Sequence, residues 1–170
     1  MSRFVALLRA VNVGGTGKLP MRELAAMCED AGFVRVRTYV ASGNVVFASD
    51  LAVAEVKAAL ERRLAVFAGK PVGVIVRTAD EMAAVLAANP FPDDAPNSTV
   101  AIFLDAAPPN DVLGSVRHQT TERIAAGVRE LYVAYGAGMG SSRLVIPAAR
   151  AGTARNMNTV AALAKLARDV

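Results

Sequence analysis

Apolar and polar positions change period several times along the first 77 residues. Phe4 to Val11 is a nearly continuous apolar run, as an interior strand requires. Asn12 to Leu19 is a glycine-rich loop, and Pro20 suits the first turn of a helix. That helix carries Met21, Leu24, Met27, Cys28 and Ala31 at helical spacing and ends at Gly32. Val34, Val36 and Thr38 then alternate with Arg35, Arg37 and Tyr39, the period of a strand with one wet face. Ser42-Gly43-Asn44 makes a turn, and Val45 to Phe47 begins the returning strand. Ser49-Asp50 are cap candidates for a second helix with Val53, Val56, Leu60, Leu64 and Phe67 on one face. Gly69-Lys70-Pro71 breaks it before a strand from Val72 to Arg77. The order β-α-β-β-α-β is ferredoxin-like, with helices expected on one face of the sheet.

Residues 78–170 read less regularly. Thr78 with Glu81 predicts a capping box for a helix to about Ala88, closed by Asn89-Pro90. Three prolines and two aspartates between Asn89 and Asn97 mark a loop. Thr99 to Leu104 reads as a strand, Pro108 to Val116 as a short helix, and Arg123–Ala126 with Glu130–Tyr135 as a hairpin about Gly127. Gly136 to Gly140 is a flexible loop, and Arg143 to Ile146 fits strand and helix equally. Met157, Val160, Leu163, Ala164 and Ala167 mark a final amphipathic helix. The expected class is α+β, a two-layer sandwich. A ferredoxin-like subdomain (1–77) and a second, degenerate α/β subdomain (78–170) would pack as one compact unit. No internal repeat is visible residue by residue.

Composition narrows the function more by exclusion than by assignment. A hydrophobic share of 54% against 20% charge lies far from the disordered regime. No apolar run approaches the roughly 18 residues that cross a bilayer, and Met1-Ser2-Arg3-Phe4 leads into a strand instead of a signal peptide. A cytoplasmic protein without a membrane partner is expected. Cys28 is the only cysteine, which excludes an internal disulfide, and its apolar helical neighbours predict a buried thiol. His118 is the only histidine, so zinc sites and Ser-His-Asp triads in their usual form are excluded; no metal and no cofactor are expected. The net charge of +4 comes from 15 Arg and 4 Lys, scattered along the chain. That bias fits a GC-rich genome as well as a polyanionic partner. RNA recognition on a sheet needs aromatic platforms, and Phe4 and Phe47 are too few and face the core.

Three polar segments carry the candidate chemistry. Asn12-Val13-Gly14-Gly15-Thr16-Gly17-Lys18 lies between a strand and a helix, where backbone amides and the helix dipole favour an anion. It is no Walker A loop, since Asn12 replaces the first glycine and Leu19 the magnesium-holding Ser or Thr. Pro20 stands where a dinucleotide fingerprint needs its third glycine. The loop is therefore a plain flexible turn or an anion cradle. Ser42-Gly43-Asn44 is a structural turn or a pocket edge. Thr153-Ala154-Arg155-Asn156-Met157-Asn158-Thr159 is expected to open the last helix. There Arg155 would oppose the dipole and call for an acceptor nearby.

Leu7-Leu8-Arg9-Ala10-Val11-Asn12-Val13-Gly14-Gly15 with Lys18 and Pro20-Met21, Thr38-Tyr39 with Ser42-Gly43-Asn44-Val45 and Phe47, and Gly152-Thr153-Ala154-Arg155-Asn156 with Asn158-Thr159-Val160 occur in this order. Together they resemble the bacterial domain of unknown function 1697 family over nearly the full chain. The sequence departs from the family pattern at Ala10, where glycine is usual, and at Met157, where an aromatic is common. The resemblance implies a two-layer α/β fold with ferredoxin-like topology and a bacterial cytoplasmic setting, and it carries over no catalytic assignment.

The expected function is a binding module for a small anionic ligand, a nucleotide or phosphorylated metabolite. Its candidate residues are Arg9, Asn12, Gly14, Gly15, Lys18, Ser42, Asn44, Thr153, Arg155, Asn156, Asn158 and Thr159, drawn together from the three segments. A nucleic-acid-associated protein and a metal-independent enzyme are the alternatives. Oligomeric state leaves no mark on the sequence.

Overall fold

The computed structural model describes residues 1–11, 18–40 and 42–170. It divides into two compact units, Met1–Met82 with Leu163–Val170, and Ala83–Ala162.

The first unit runs β1 (Ser2–Leu8), α1 (Met21–Asp30), β2 (Val34–Thr38), β3 (Asn44–Ser49), α2 (Val53–Ala68) and β4 (Val74–Thr78). The strands form an antiparallel sheet in the order β2-β3-β1-β4, the ferredoxin-like arrangement expected from the periodicity. Alternation along β1 sends Phe4, Ala6 and Leu8 to one face, where they meet Val45, Phe47, Val74 and Val76. Leu24 and Cys28 of α1 and Val56, Leu60 and Leu64 of α2 close that core. The Phe33 ring stacks on Phe47 with centroids 4.3 Å apart. Burial pushes the Cys28 thiol up to about 12, so it is an inert packing residue.

The reverse face, Val5, Leu7, Val46, Ala48 and Ile75, is just as buried, although the pattern suggested helices on one side only. Arg3, on the same face as Val5 and Leu7, donates to the Arg168 carbonyl near the end of α4 (Met157–Asp169). Helix α2 lacks the side-chain cap expected of Ser49 or Asp50: its N-cap is Ala52, and the Ser49 hydroxyl accepts from the Leu51 amide at 3.1 Å.

The second unit contains most of α3 (Ala79–Ala87), then β5 (Thr99–Phe103), β6 (Arg123–Ala126), β7 (Glu130–Ala134), β8 (Thr153–Asn156) and the start of α4. Its antiparallel sheet has the order β6-β7-β5-β8. Val100, Ile102, Leu131 and Val133 face Val112 and Ile146 from the connecting segments. On the other face the Tyr132 hydroxyl donates to the Val85 carbonyl at 2.7 Å. The capping box is present: the Thr78 amide donates to Glu81 Oε1 at 2.9 Å and the Glu81 amide to Thr78 Oγ1 at 3.1 Å.

Three expectations change here. The helix expected over Pro108–Val116 shrinks to one 3-10 turn, Val112–Ser115, where Gly114 disfavours a longer helix and Val116 is already extended. The glycine loop from Gly136 is a 3-10 turn as well, and Val145 forms an isolated bridge with Arg117. Thr153–Asn156 is a strand, not a helix start. Its pairing with β5, from Phe103↔Thr153 to Val100↔Asn156, outweighs the helical pattern, and α4 begins only at Met157.

Candidate functional site

In the first unit β1 delivers its last residue, Leu8, beside Gly43: the Leu8 amide donates to the Gly43 carbonyl at 2.9 Å. Gly43 has φ +88, and a Cβ there would stand 2.5 Å from Val11 Cγ2 and 2.9 Å from Leu8 Cβ. Only glycine meets both conditions. The segments containing Arg9 and Asn44 are therefore packed together.

Asn44 is fully buried and its amide nitrogen donates to the Tyr39 carbonyl at 2.8 Å and to Ser42 Oγ at 2.9 Å. These bonds brace the β2–β3 turn, so Ser42 and Asn44 act first as architecture. Arg9 is half-buried with its stem over Gly73, where an added Cβ would meet Arg9 Cδ at 3.0 Å. Asn12, Gly14 and Gly15, and with them the loop reading, lie outside the described residues.

The two ends of that loop border a cavity of about 230 Å³. Ala10, Val11, Lys18 and Leu19 meet Leu64, Phe67, Ala68, Lys70 and Val72 from the end of α2 and the strand approach beyond it. Helix α2 stops where Gly69 takes φ +70 and its amide donates to the Ala65 carbonyl, which turns the chain and places Lys70 at the cavity. Its wall is mostly hydrocarbon, and Lys18 and Lys70 are exposed. Among the described residues neither ammonium pairs with a carboxylate. Gly69, and not Lys70, terminates α2, whose last turn holds no basic residue. A broader groove of about 520 Å³ runs between α1 and α2, where Arg63 Nε holds Asp30 at 3.0 Å.

Lys70 and Phe67 were not among the sequence candidates. Lys70 was hidden inside a helix-breaking triplet. Phe67 sat on the apolar stripe of α2 with Leu60 and Leu64, yet it is 46% exposed while both of those are buried. The usable signal was the rarity of lysine: two of the chain's four lysines flank this cavity.

In the second unit Arg155 is 7% exposed on β8 and donates to Thr153 Oγ1 at 2.7 Å and to the Ala154 carbonyl at 2.9 Å. Arg155 stands on a strand, so the clash with a helix dipole does not arise. Burial lowers its pKa to about 10, which leaves it charged at neutral pH. Asn156 Oδ1 accepts from the Thr159 amide at 2.9 Å and caps α4, while Asn158 is exposed.

A group the sequence did not single out is Glu122. Its carboxylate accepts from the Ser142 hydroxyl and, at 2.7 Å, from the Thr120 amide. These bonds, the one from Ser142 foremost, hold its pKa down at about 2. A group that stays ionised so far down makes a weak base, and it functions as a loop brace.

Among the described residues, no helix is long and apolar enough to cross a membrane, and no three His, Cys, Asp or Glu side chains group as metal ligands do.

A family model described as "Protein of unknown function (DUF1697)" matches residues 1–132, more than half of the chain. The chain belongs to the DUF1697 family. No curated protein matches it. Among solved structures, the chain is similar to one titled "The structure of conserved bacterial protein SP0830 from Streptococcus pneumoniae". The TM-score is 0.78 at 21% identity, over 98% of each chain. At that identity the likeness establishes the α+β fold, shared from end to end, and no activity. For this DUF1697 protein, function has to be argued from its own cavity and charges.

Proposed function

We propose that this protein is a binding module for a small anionic ligand, held in the first unit at the cavity flanked by Lys18 and Lys70. The observation that carries the reading is the pair Lys18 and Lys70 bordering one cavity whose remaining wall is apolar. Hydrocarbon walls lower the local dielectric and strengthen the attraction of two ammonium groups for an anion. A volume of about 230 Å³ falls below the roughly 300–1,000 Å³ of pockets for drug-sized ligands, so the ligand is a small metabolite.

The reading takes the cytoplasm as the setting and needs neither metal nor cofactor. Thr153, Arg155, Asn156 and Thr159 make hydrogen bonds within the β8–α4 junction of the second unit and Asn158 is exposed there, so the ligand is assigned to Lys18 and Lys70.

The test is calorimetric and thermal-shift titration of the full chain with sodium phosphate and small organic anions, at low and moderate salt. A saturable rise in melting temperature is expected, about 2.7 kcal/mol of stabilisation at 100 times Kd. The Lys18→Ala/Lys70→Ala variant should lose it while melting normally without ligand, as exposed substitutions do. Anion effects that are absent, or indifferent to the double substitution, defeat the reading. Steeply salt-dependent binding of short RNA instead would favour the nucleic-acid alternative.

A further inference from the structure

We propose that the ligand is a small organic monocarboxylate with an apolar alkyl or aryl body, a reading that rests on the lysine-flanked cavity being a ligand site. Phe67 carries it. Along α2 the stripe Val56, Leu60 and Leu64 is fully buried in the sheet core, but Phe67, three residues further, is 46% exposed and lines the cavity. Among the described residues, the Phe67 ring is left partly uncovered at the end of α2. Val11, Leu19 and Val72 line the same space. Covering such a wall is favourable in proportion to the apolar area removed from water.

The same wall discriminates among anions. A sugar phosphate or nucleotide would turn hydroxyl groups toward hydrocarbon and lose their hydrogen bonds with water without replacement. A phosphate dianion sheds more hydration than a carboxylate on entering such a space, and no arginine lines it to offer the two-pronged geometry that rewards phosphate. Lys18 and Lys70 are exposed, so a carboxylate held between them keeps part of its hydration at the mouth while the body fills the interior. This narrows the nucleotide or phosphorylated metabolite suggested by the sequence to a simpler amphiphile.

The experiment titrates the full chain by calorimetry and NMR with hexanoate, phenylacetate, neutral phenylacetamide, inorganic phosphate and adenosine monophosphate. Hexanoate or phenylacetate should saturate, with phenylacetamide at least about tenfold weaker, as expected for loss of a charge-assisted contact. Phe67→Ala should weaken the carboxylates by about 30-fold, the equivalent of one lost aromatic contact surface, and Phe67→Leu should restore most of it. Phosphate or adenosine monophosphate binding that depends on Lys18 and Lys70, with the carboxylates silent, overturns the ligand class and leaves the anion site standing. Lysine-independent binding, or none by any probe, overturns both. Carboxylate binding untouched by Phe67→Ala overturns the placement of the apolar body.

Discussion

The two sheets have the same strand order and different covers. In the first, β1 lies between β3 and β4, with Val5 opposite Val46 on one side and Arg77 on the other. In the second, β5 lies between β7 and β8, with Ala101 opposite Tyr132 and Arg155. Taking Val5 with Ala101 as the common origin, further features fall into register. Leu8 donates to the Gly43 carbonyl as Leu104 donates to that of Arg129, and Tyr39 donates to the Asn44 carbonyl as Gly127 does to that of Glu130. Asn44 and Glu130 are both buried, and each braces its turn with its side chain, the former through Tyr39 and Ser42, the latter by accepting from the Val128 amide. Arg77-Thr78 and Arg155-Asn156 then both lead into a helix capped by the second residue of the pair. What differs is the stretch between strands: α1 and α2 in the first sheet, 3-10 turns in the second. Register and strand-to-helix junctions define this topology, and the connections are free to vary around it.

Substituting the two closest glycine contacts tests that statement most severely. Gly43→Ala would push a methyl to 2.5 Å from Val11 Cγ2 at φ +88, and Gly152→Ala one to 2.5 Å from the Phe103 carbonyl oxygen. Each should cost about 3 kcal/mol or more in denaturant unfolding, through overpacking and, at Gly43, backbone strain. If Gly152→Ala proved neutral, β8 would be free to slide, and the equivalence of the two sheets would weaken at that edge.

The caps are the next test. Thr78→Ala and Asn156→Ala should each cost about 1 kcal/mol, with faster hydrogen exchange at the Glu81 and Thr159 amides respectively. Matching losses would sharpen the likeness of the two junctions. A loss at Thr78 alone would mark α4 as a helix held by packing instead of by its cap.

This repeat was invisible in the sequence for a physical reason. Arg77-Thr78-Ala79 and Arg155-Asn156-Met157 share one identity in three positions, and the cap requires only a short polar side chain. The first unit was legible because α1 and α2 are amphipathic, so period 3.6 alternates with period 2 and shows where each strand ends. In the second unit no such helix separates the strands, and β8, four residues at the mouth of a helix, reads as its first turn. The cavity was half legible. Lys18 stood in a suspicious loop, but Lys70 and Phe67 reach it through the tertiary course of α2, which no local pattern contains.

Acid should separate the two sheets. The Glu122 carboxyl lies at about 2 in the folded chain against 4.5 when free, so the folded state favours the ionised form. That contribution is complete above pH of about 4.5 and is lost as pH falls toward 2. In the first sheet the β2–β3 brace is the Asn44 amide, which does not titrate. At pH of about 3 the hydrogen-exchange protection factors, corrected for the intrinsic rate, should therefore fall around Arg117–Glu122 and Ser142–Val145 before they do at Tyr39 and Asn44. Glu122→Gln should remove the difference between pH 3 and pH 6. An equal fall at both loops would mean that acid acts on the chain as a whole.

The smallest expected effect concerns Ala10. Ala10 has φ +52, a left-handed conformation that costs an L-residue with a Cβ about 1–2 kcal/mol and glycine almost nothing. Ala10→Gly removes that strain and adds back some unfolded-state entropy, so the net gain should be about 0.5–1 kcal/mol. For a chain of this length, that is a rise of about 1–4 °C in Tm. Ala10 also lines the lysine-flanked cavity, so the substitution deletes one methyl from its wall and should leave carboxylate affinity within about threefold. A variant that melts lower than the parent would show that residues 9–11 reach their path by another conformation. The turn of the chain out of β1 would then differ from the one drawn here.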